Sequence, residues 1–131
     1  MKLPLSAIVI THNEEHNIEQ CLAALGFCDQ ILVVDSESTD RTRELAARFT
    51  EELHVLPWKG FAAQKNQALQ WARHRWVLSV DADEVVSPAL VDEIRGLFLN
   101  RGLEKVAAFS MRARSRSSAA MVAERSALSS S

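Results

Sequence analysis

The sequence predicts an α/β fold with a mostly parallel sheet and helices on both of its faces. Four short apolar runs rich in Val, Ile and Leu are each followed by a polar segment and then by apolar residues at helical spacing. Strands and helices that alternate in this way form parallel sheets, whose buried strands are joined by right-handed crossovers. The length of 131 residues, with 47% hydrophobic and 24% charged residues, is that of one ordinary globular domain.

The first two strands are predicted over residues 5–10 and 30–34, since both are apolar runs with many β-branched residues. A polar loop and a helical pattern follow each run. Thr11 and Glu14 have the spacing of a capping box for the first helix, and Gly26 is placed to end that helix. The first half of the chain therefore consists of two strand–loop–helix units.

The second half continues the same alternation. Strands are predicted over residues 53–56 and 77–80, with a helix over 61–73 between them. Ser87 and the proline after it begin the last helix, with serine as the cap and proline in the first helical position. Residues 106–109 have the composition of a fifth strand.

Residues 112–131 differ in composition from residues 1–111. Serine, alanine and arginine dominate there, and the apolar periodicity disappears. We therefore predict one domain over residues 1–111 and an atypical tail over 112–131 that is disordered or weakly helical. A shifted reading frame would produce the same change in composition.

Charge, cysteine content and motifs narrow the function. The net charge of −2 gives no reason to expect nucleic acid as a partner. Cys21 and Cys28 match no zinc or disulfide pattern and are expected to be buried free thiols in a reducing, cytoplasmic location. No apolar run reaches the roughly 18 residues of a membrane span, although contact with a membrane surface stays open. Neither a GxGxxG motif nor a P-loop occurs.

Polar and charged residues follow all four of the main predicted strands, at residues 11–14, 35–40, 58–65 and 81–84. Ligands of open parallel sheets bind in the crevice beyond the carboxyl ends of the strands. Taken alone, the acidic stretch at 81–84 is more simply explained as a solvated turn. Four such segments at one edge instead favour a single composite site.

The residue types in these segments suit a metal and a diphosphate. Asp81 and Asp83 offer the oxygen ligands that Mg²⁺ or Mn²⁺ prefers, and Lys65 offers a compact cation. Asp35 is suited to the N–H donors of a base or to ribose hydroxyls, with a helix cap as its alternative role. Trp58 lies at the right edge to stack a ring, although its residue type favours the core. This combination fits a nucleoside diphosphate sugar, whose leaving diphosphate a metal neutralises.

Four segments, AIVITHNEE, VVDSESTDRT, KGFAAQKNQAL and VLSVDADE, resemble the family 2 glycosyltransferases with the Rossmann-like GT-A fold, over about residues 5–111. The resemblance is greatest to bacterial enzymes that add a sugar, usually glucose, from a UDP-sugar to the lipopolysaccharide inner core at the inner membrane. It implies a nucleotide-sugar-binding set of Thr11, Asn13, Glu14, Asp35, Ser36, Lys65 and Asp81. In that pattern Asp81 faces the ribose, Asp83 faces the metal, and the two form the metal-binding pair.

The sequence also departs from this family, whose members continue into a second half that carries the acceptor surface and the carboxylate general base. Beyond the last predicted helix the carboxylates are Glu104 and Glu124, and neither is placed to act as that base, so no catalytic residue is assigned. We expect a truncated, donor-binding half of an inverting enzyme that binds UDP with Mn²⁺ or Mg²⁺ but transfers sugar poorly or not at all. The alternatives are an inactive nucleotide-binding or interaction module that self-associates through exposed apolar surface, and a metal-dependent nucleotidyltransferase.

Overall fold

A computed structural model describes residues 2–99, 108–110 and 121–125. Within these residues, six strands form one sheet and four helices pack against it. In chain order the elements are β1 (Leu3–Thr11), α1 (Ile18–Ala23), β2 (Cys28–Asp35), α2 (Thr42–Ala46), β3 (Leu53–Val55), α3 (Phe61–Trp71), β4 (Trp76–Asp81), α4 (Pro88–Leu99), β5 (Ala108–Ser110) and β6 (Met121–Glu124). In this described part, no helix combines the length and the apolar character that crossing a membrane requires.

The strand order across the sheet is β3-β2-β1-β4-β6-β5. The four strands from β3 to β4 in this order run parallel, while β6 pairs antiparallel with both β4 and β5. The central strand β1 therefore has a parallel neighbour on each side. The predicted α/β fold with a mostly parallel sheet is confirmed.

Apolar side chains cover both faces of the sheet. Successive residues of a strand point to opposite faces, so Ala7 and Val9 pack in the cluster of buried residues from α1, α2 and α4. Ile8 lies in a second cluster, with Ala68 and Leu69 of α3. Because both faces of the sheet are buried in separate cores, the sequences of the parallel strands are continuous apolar runs.

The first helix begins later than the predicted capping box requires. Helix α1 starts at Ile18, and its N-cap residue Asn17 makes no side-chain capping bond. Thr11 is the last residue of β1, and its hydroxyl donates to Asp35 Oδ1 at 2.7 Å. The prediction that Thr11 and Glu14 form a capping box is therefore wrong, because a partner distant in sequence takes the threonine hydroxyl.

Strand β6 lies within the stretch that we interpreted as a disordered or weakly helical tail, and for residues 121–124 that interpretation is wrong. Val122 and Ala123 are fully buried beside β4, and the guanidinium of Arg125 donates to the carbonyl oxygen of Ala72 at 2.5 Å. Pairing with an existing strand edge stabilises a run too short to signal a strand by itself. The division at residue 111 stays a prediction.

The predicted fifth strand over residues 106–109 is only partly described. Its last two residues belong to β5, which runs antiparallel to β6. Residues 106 and 107 lie outside the described residues.

A buried hydrogen-bond network, here called the Gln30 network, ties the amino ends of the strands together. The side-chain oxygen of Gln30 accepts bonds from the Ser6 hydroxyl at 2.6 Å and from the Arg73 N–H at 2.8 Å. Its nitrogen donates to Glu52 Oε1 at 2.9 Å and to the Trp71 carbonyl oxygen at 3.1 Å. All four hydrogen-bonding positions of the amide are therefore used. This network lies at the opposite edge from the candidate site described next.

Candidate functional site

The carboxyl ends of the parallel strands meet at one edge of the sheet. Thr11 of β1 is in register with Asp35 of β2, and Asp35 is in register with Val55 of β3. On the other side of β1, Ile10 is in register with Asp81 of β4. The structure thus brings the residues that follow these four strands to a common edge.

Three carboxylates cluster where β4 ends. One oxygen from each of Asp81, Asp83 and Glu84 lies within 4.8 Å of the other two. Asp83 is exposed, Asp81 is partly exposed and Glu84 is buried, and the Glu84 N–H donates to the Asp81 carbonyl oxygen at 2.9 Å, closing the turn. An all-oxygen set of this kind fits Mg²⁺ or Mn²⁺. We assigned only the two aspartates from the sequence, and the third carboxylate is added by the turn geometry.

The surroundings of Asp81 disfavour the charged form of its carboxyl group. Burial and, secondarily, the negative charge of Asp83 raise the pKa of Asp81, while the positive charge of Lys65 acts in the opposite direction. Lys65 lies in the first turns of α3, so its influence on Asp81 connects the third and fourth strand ends. The cluster therefore carries excess negative charge that a bound cation would compensate.

A buried thiol lies beneath the acidic cluster. Cys21 of α1 donates a weak hydrogen bond to the Asp81 carbonyl oxygen, with 3.5 Å between sulfur and oxygen. Burial, with further contributions from Asp83, Glu84 and the other nearby carboxylates, raises the pKa of Cys21 to about 12. Cys28 is also buried, and burial raises its pKa to about 12. Both cysteines are free, buried thiols, as predicted, and neither has the thiolate character of a nucleophile.

Asp81→Asn is expected to raise the thermal midpoint of the metal-free protein at neutral pH. Because the folded-state pKa of Asp81 is raised, its carboxylate costs stability once the pH exceeds that pKa, and an amide removes this cost. The advantage of the variant should shrink as the pH falls and Asp81 becomes protonated. Thermal unfolding from neutral to acid pH in the presence of EDTA measures the effect.

The matched control for this stability measurement is Asp92→Asn, since Asp92 is exposed on α4. It should leave the midpoint unchanged. A lower midpoint in Asp81→Asn at neutral pH would contradict the prediction.

Asp35 is fully buried, and its carboxylate is held by neighbouring residues. Its Oδ1 accepts hydrogen bonds from the hydroxyls of Thr11 at 2.7 Å and Ser38 at 2.5 Å. Its Oδ2 accepts from the Ser38 N–H at 2.8 Å and lies 3.8 Å from Nε of Arg43. These contacts order the start of the loop after β2. A direct contact between Asp35 and a nucleotide base stays a prediction.

Hydrogen bonds between backbone and side chains, here called the two-loop network, join the loop after β1 to the loop after β2. The Asn13 N–H donates to Ser38 Oγ at 2.8 Å, and Asn13 Oδ1 accepts from the Thr39 N–H at 2.8 Å. The Glu14 N–H donates to Thr42 Oγ1 at 2.8 Å. Asn13 has a φ of 51°, in the left-handed region that asparagine tolerates well. The predicted binding residues of the first loop are therefore held in a defined arrangement.

A cavity of about 300 Å³, here called the aromatic cavity, opens beside these loops and is lined by His12, Ser36 and Trp58. Trp58 is 56% exposed, so this tryptophan does not belong to the core that its residue type favours. Nδ1–H of His12 donates to the Ser36 carbonyl oxygen at 2.8 Å. Two aromatic rings and a buried serine thus line one opening. We did not identify His12 from the sequence, because it lacks the spacing of a metal ligand and only folding brings it to Trp58.

The carboxylates considered for the general base lie elsewhere or outside the described residues. Glu124 of β6 is in register with Trp76 at the amino end of β4, and its carboxylate forms an ion pair with Arg75 at 2.8 Å. It is therefore at the end of β4 opposite to Asp81. Glu104 lies outside the described residues.

Comparison with known proteins gives a consistent result. The model of a family described as glycosyl transferase family 2 matches residues 6–118. The chain is 36% identical over 109 residues to an uncharacterized glycosyltransferase of Rickettsia bellii, covering 82% of this chain and 37% of that protein. It is 39% identical over 94 residues to the lipopolysaccharide core biosynthesis glycosyltransferase LpsC of Rhizobium meliloti, covering 68% of this chain and 35% of LpsC. The chain thus spans little more than a third of the length of these relatives.

Two solved structures with a similar fold are complexes with nucleotide sugars. The mannosyltransferase PcManGT from Pyrobaculum calidifontis, in complex with GDP-Man and Mn²⁺, matches with a TM-score of 0.67 and 28% identity, covering 86% of this chain and 36% of that one. The S. aureus protein TarS 1-349, in complex with UDP-GlcNAc, matches with a TM-score of 0.63 and 25% identity, covering 86% and 34%. Both structures therefore have a fold similar to that of this chain.

Proposed function

The chain belongs to glycosyl transferase family 2, and from this premise we propose that it binds a nucleoside diphosphate sugar at the carboxyl edge of its sheet. One observation carries the proposal: strand register brings the acidic cluster and the aromatic cavity to the same edge. The nucleotide sugars bound by PcManGT and TarS give further support.

Asp83 and Asp81 are the residues proposed to hold a divalent cation, Mg²⁺ or Mn²⁺, with Glu84 as a third carboxylate near them. The all-oxygen donor set fits a hard cation. When bound, such an ion neutralises the negative charge of the diphosphate. Lys65, whose charge lowers the pKa of Asp81, is proposed to add a second positive charge beside the diphosphate.

The base and ribose of the nucleotide are proposed to lie towards the loops after β1 and β2. A cavity of about 300 Å³ between His12 and Trp58 offers two aromatic rings for stacking on a planar base. The loop residues proposed to bind the nucleotide, together with Lys65 and Asp81 at the diphosphate and ribose, are Thr11, Asn13, Glu14, Asp35 and Ser36. Since Asp35 is buried, its proposed contribution is to hold Thr11 and the loop after β2 in position.

The finer proposal is an inverting transfer of a sugar, namely glucose, from its UDP-sugar to the inner core of lipopolysaccharide. The name of LpsC supports an acceptor of this kind. Such an acceptor is presented at the cytoplasmic face of the inner membrane, so we propose that the protein works there, peripheral to the membrane.

Self-association through exposed apolar side chains such as Val85 and Leu99 is also proposed.

Calorimetric titration with UDP in the presence of Mn²⁺ tests this function. We expect saturable binding with one site per chain and loss of binding when EDTA removes the metal. A folded sample that binds no UDP in Mn²⁺ would contradict the proposal. Tighter binding of UTP than of UDP-glucose would instead favour a nucleotidyltransferase.

A further inference from the structure

Ser36 lines the aromatic cavity, and its hydroxyl has a single side-chain partner. Ser36 is 3% exposed and Gln64 is 1% exposed. Nε2 of Gln64, in the first turn of α3, donates to Ser36 Oγ at 3.3 Å. Within the described part of the chain, no other hydrogen bond to this hydroxyl is found. The amide of Gln64 therefore determines whether the Ser36 hydroxyl can donate or accept a further hydrogen bond.

A serine hydroxyl has one hydrogen to donate and two lone pairs that accept. Because Gln64 supplies an N–H, it occupies a lone pair and leaves the hydroxyl hydrogen for a ligand. A buried donor without an acceptor is unfavourable, because it has lost its hydrogen bond to water without replacing it. A ligand that presents a carbonyl oxygen to Ser36 therefore satisfies the hydroxyl, whereas a ligand that presents an amino group leaves its hydrogen unpaired.

The backbone of Ser36 is fixed on both sides, so the hydroxyl cannot turn away by a loop movement. Its N–H donates to the Thr11 carbonyl oxygen at 2.8 Å, and its carbonyl oxygen accepts from Nδ1–H of His12 at 2.8 Å. The backbone N–H of Gln64 donates to the Gly60 carbonyl oxygen at 3.1 Å, within the first turn of α3. Both members of the Ser36–Gln64 pair are thus held in place by the main chain.

We propose that Gln64 is a positioning residue that keeps the Ser36 hydroxyl as a donor towards position 4 of a pyrimidine base. It thereby selects uracil, which has a carbonyl group at that position, over cytosine, which has an amino group there. The proposal rests on the proposed function, since it assumes that a nucleotide base occupies the cavity. Beyond that function, the proposal assigns a role to Gln64 of α3 and gives a physical reason for a preference between bases.

Gln64→Glu reverses the polarity of the pair and is the main test. A carboxylate at this position accepts the Ser36 hydroxyl hydrogen, so only lone pairs of Ser36 then face the ligand. Calorimetric titration in Mn²⁺ gives the Kd of UDP and of CDP, and the ratio of the two is the readout. The added negative charge repels both diphosphates equally, so this ratio isolates the effect on the base.

We expect the wild-type protein to prefer UDP and Gln64→Glu to shift the ratio by about tenfold towards CDP, which corresponds to about 1.4 kcal/mol. Gln64→Met removes the polarity without reversing it and should give a smaller shift in the same direction. Gln70→Glu, an exposed position on the same helix, is the matched control and should leave the ratio unchanged. Circular dichroism and the thermal midpoint show that each variant is folded.

Failure of this inference is distinguishable from failure of the proposed function. If the wild-type protein binds UDP but Gln64→Glu weakens UDP and CDP by the same factor, Gln64 only packs against the site and the inference is overturned. If the folded wild-type protein binds neither nucleotide in Mn²⁺, the proposed function is overturned and the inference with it.

Discussion

Asp83→Ala is expected to abolish the Mn²⁺-dependent part of UDP binding and to lower the affinity at least about 100-fold, or about 2.7 kcal/mol. Asp83 is the exposed member of the acidic cluster, and its carboxylate lies within 4.8 Å of those of Asp81 and Glu84. Removing it takes one oxygen ligand from the proposed cation, which then binds less tightly beside the diphosphate. Titration of UDP at a fixed Mn²⁺ concentration measures the loss.

Two comparisons separate this effect from a general disturbance of the site. Asp92→Ala removes an exposed carboxylate of α4 and should bind UDP like the wild-type protein. Uridine, which has no diphosphate, should bind equally to Asp83→Ala and the wild-type protein. If Asp83→Ala bound UDP with unchanged affinity and unchanged dependence on Mn²⁺, the assignment of the cation site would be refuted.

Gln30→Leu is expected to lower the free energy of unfolding by about 3 kcal/mol, because each buried polar group left without a partner costs roughly 1–3 kcal/mol. The substitution removes all four hydrogen bonds of the Gln30 network, leaving the Arg73 N–H and the Trp71 carbonyl oxygen without this partner. The gain from a more apolar side chain offsets only part of this loss. Since folded domains are stable by about 5–15 kcal/mol, the effect is large. Urea unfolding followed by circular dichroism measures it.

Gln70→Leu is the matched control for the unfolding experiment, since Gln70 is exposed on α3. It should change the unfolding free energy by less than about 0.5 kcal/mol. A loss below about 1 kcal/mol in Gln30→Leu would mean that water replaces the missing amide or that the network relaxes. Either result would refute the expectation that the network stabilises the amino edge of the sheet.

The pattern of apolar residues in the sequence predicted the parallel strands and the helices between and after them. Each buried strand is a local apolar run, and each helix has apolar residues at helical spacing. The run at residues 5–10, for example, lies within β1. The antiparallel pair of β5 and β6 was not predicted as such. Val122 and Ala123 of β6 are buried, and their stabilising partner is β4, far away in sequence. Local composition carries little information about such non-local pairing.

The site was predicted in outline but not in its side-chain contacts. Residue types at strand ends indicated Asp81 and Asp83, and the fold brings them together with Glu84. Asp35 illustrates the limit, because its sequence position suits both a ligand contact and an internal role. Burial and hydrogen bonds from Thr11 reveal the internal role, which only tertiary structure determines. The proximity of His12 to Trp58 likewise depends on folding and leaves no periodic signal.

The two-loop network has a thermodynamic consequence for a ligand at this edge. Asn13, Glu14 and their partners Ser38 and Thr42 are hydrogen-bonded to each other in the protein alone. A nucleotide that meets these loops therefore does not have to restrict their motion itself, and the entropic penalty of association is correspondingly smaller. Preorganisation of this kind allows a small cavity with few contacts to bind its ligand with useful affinity.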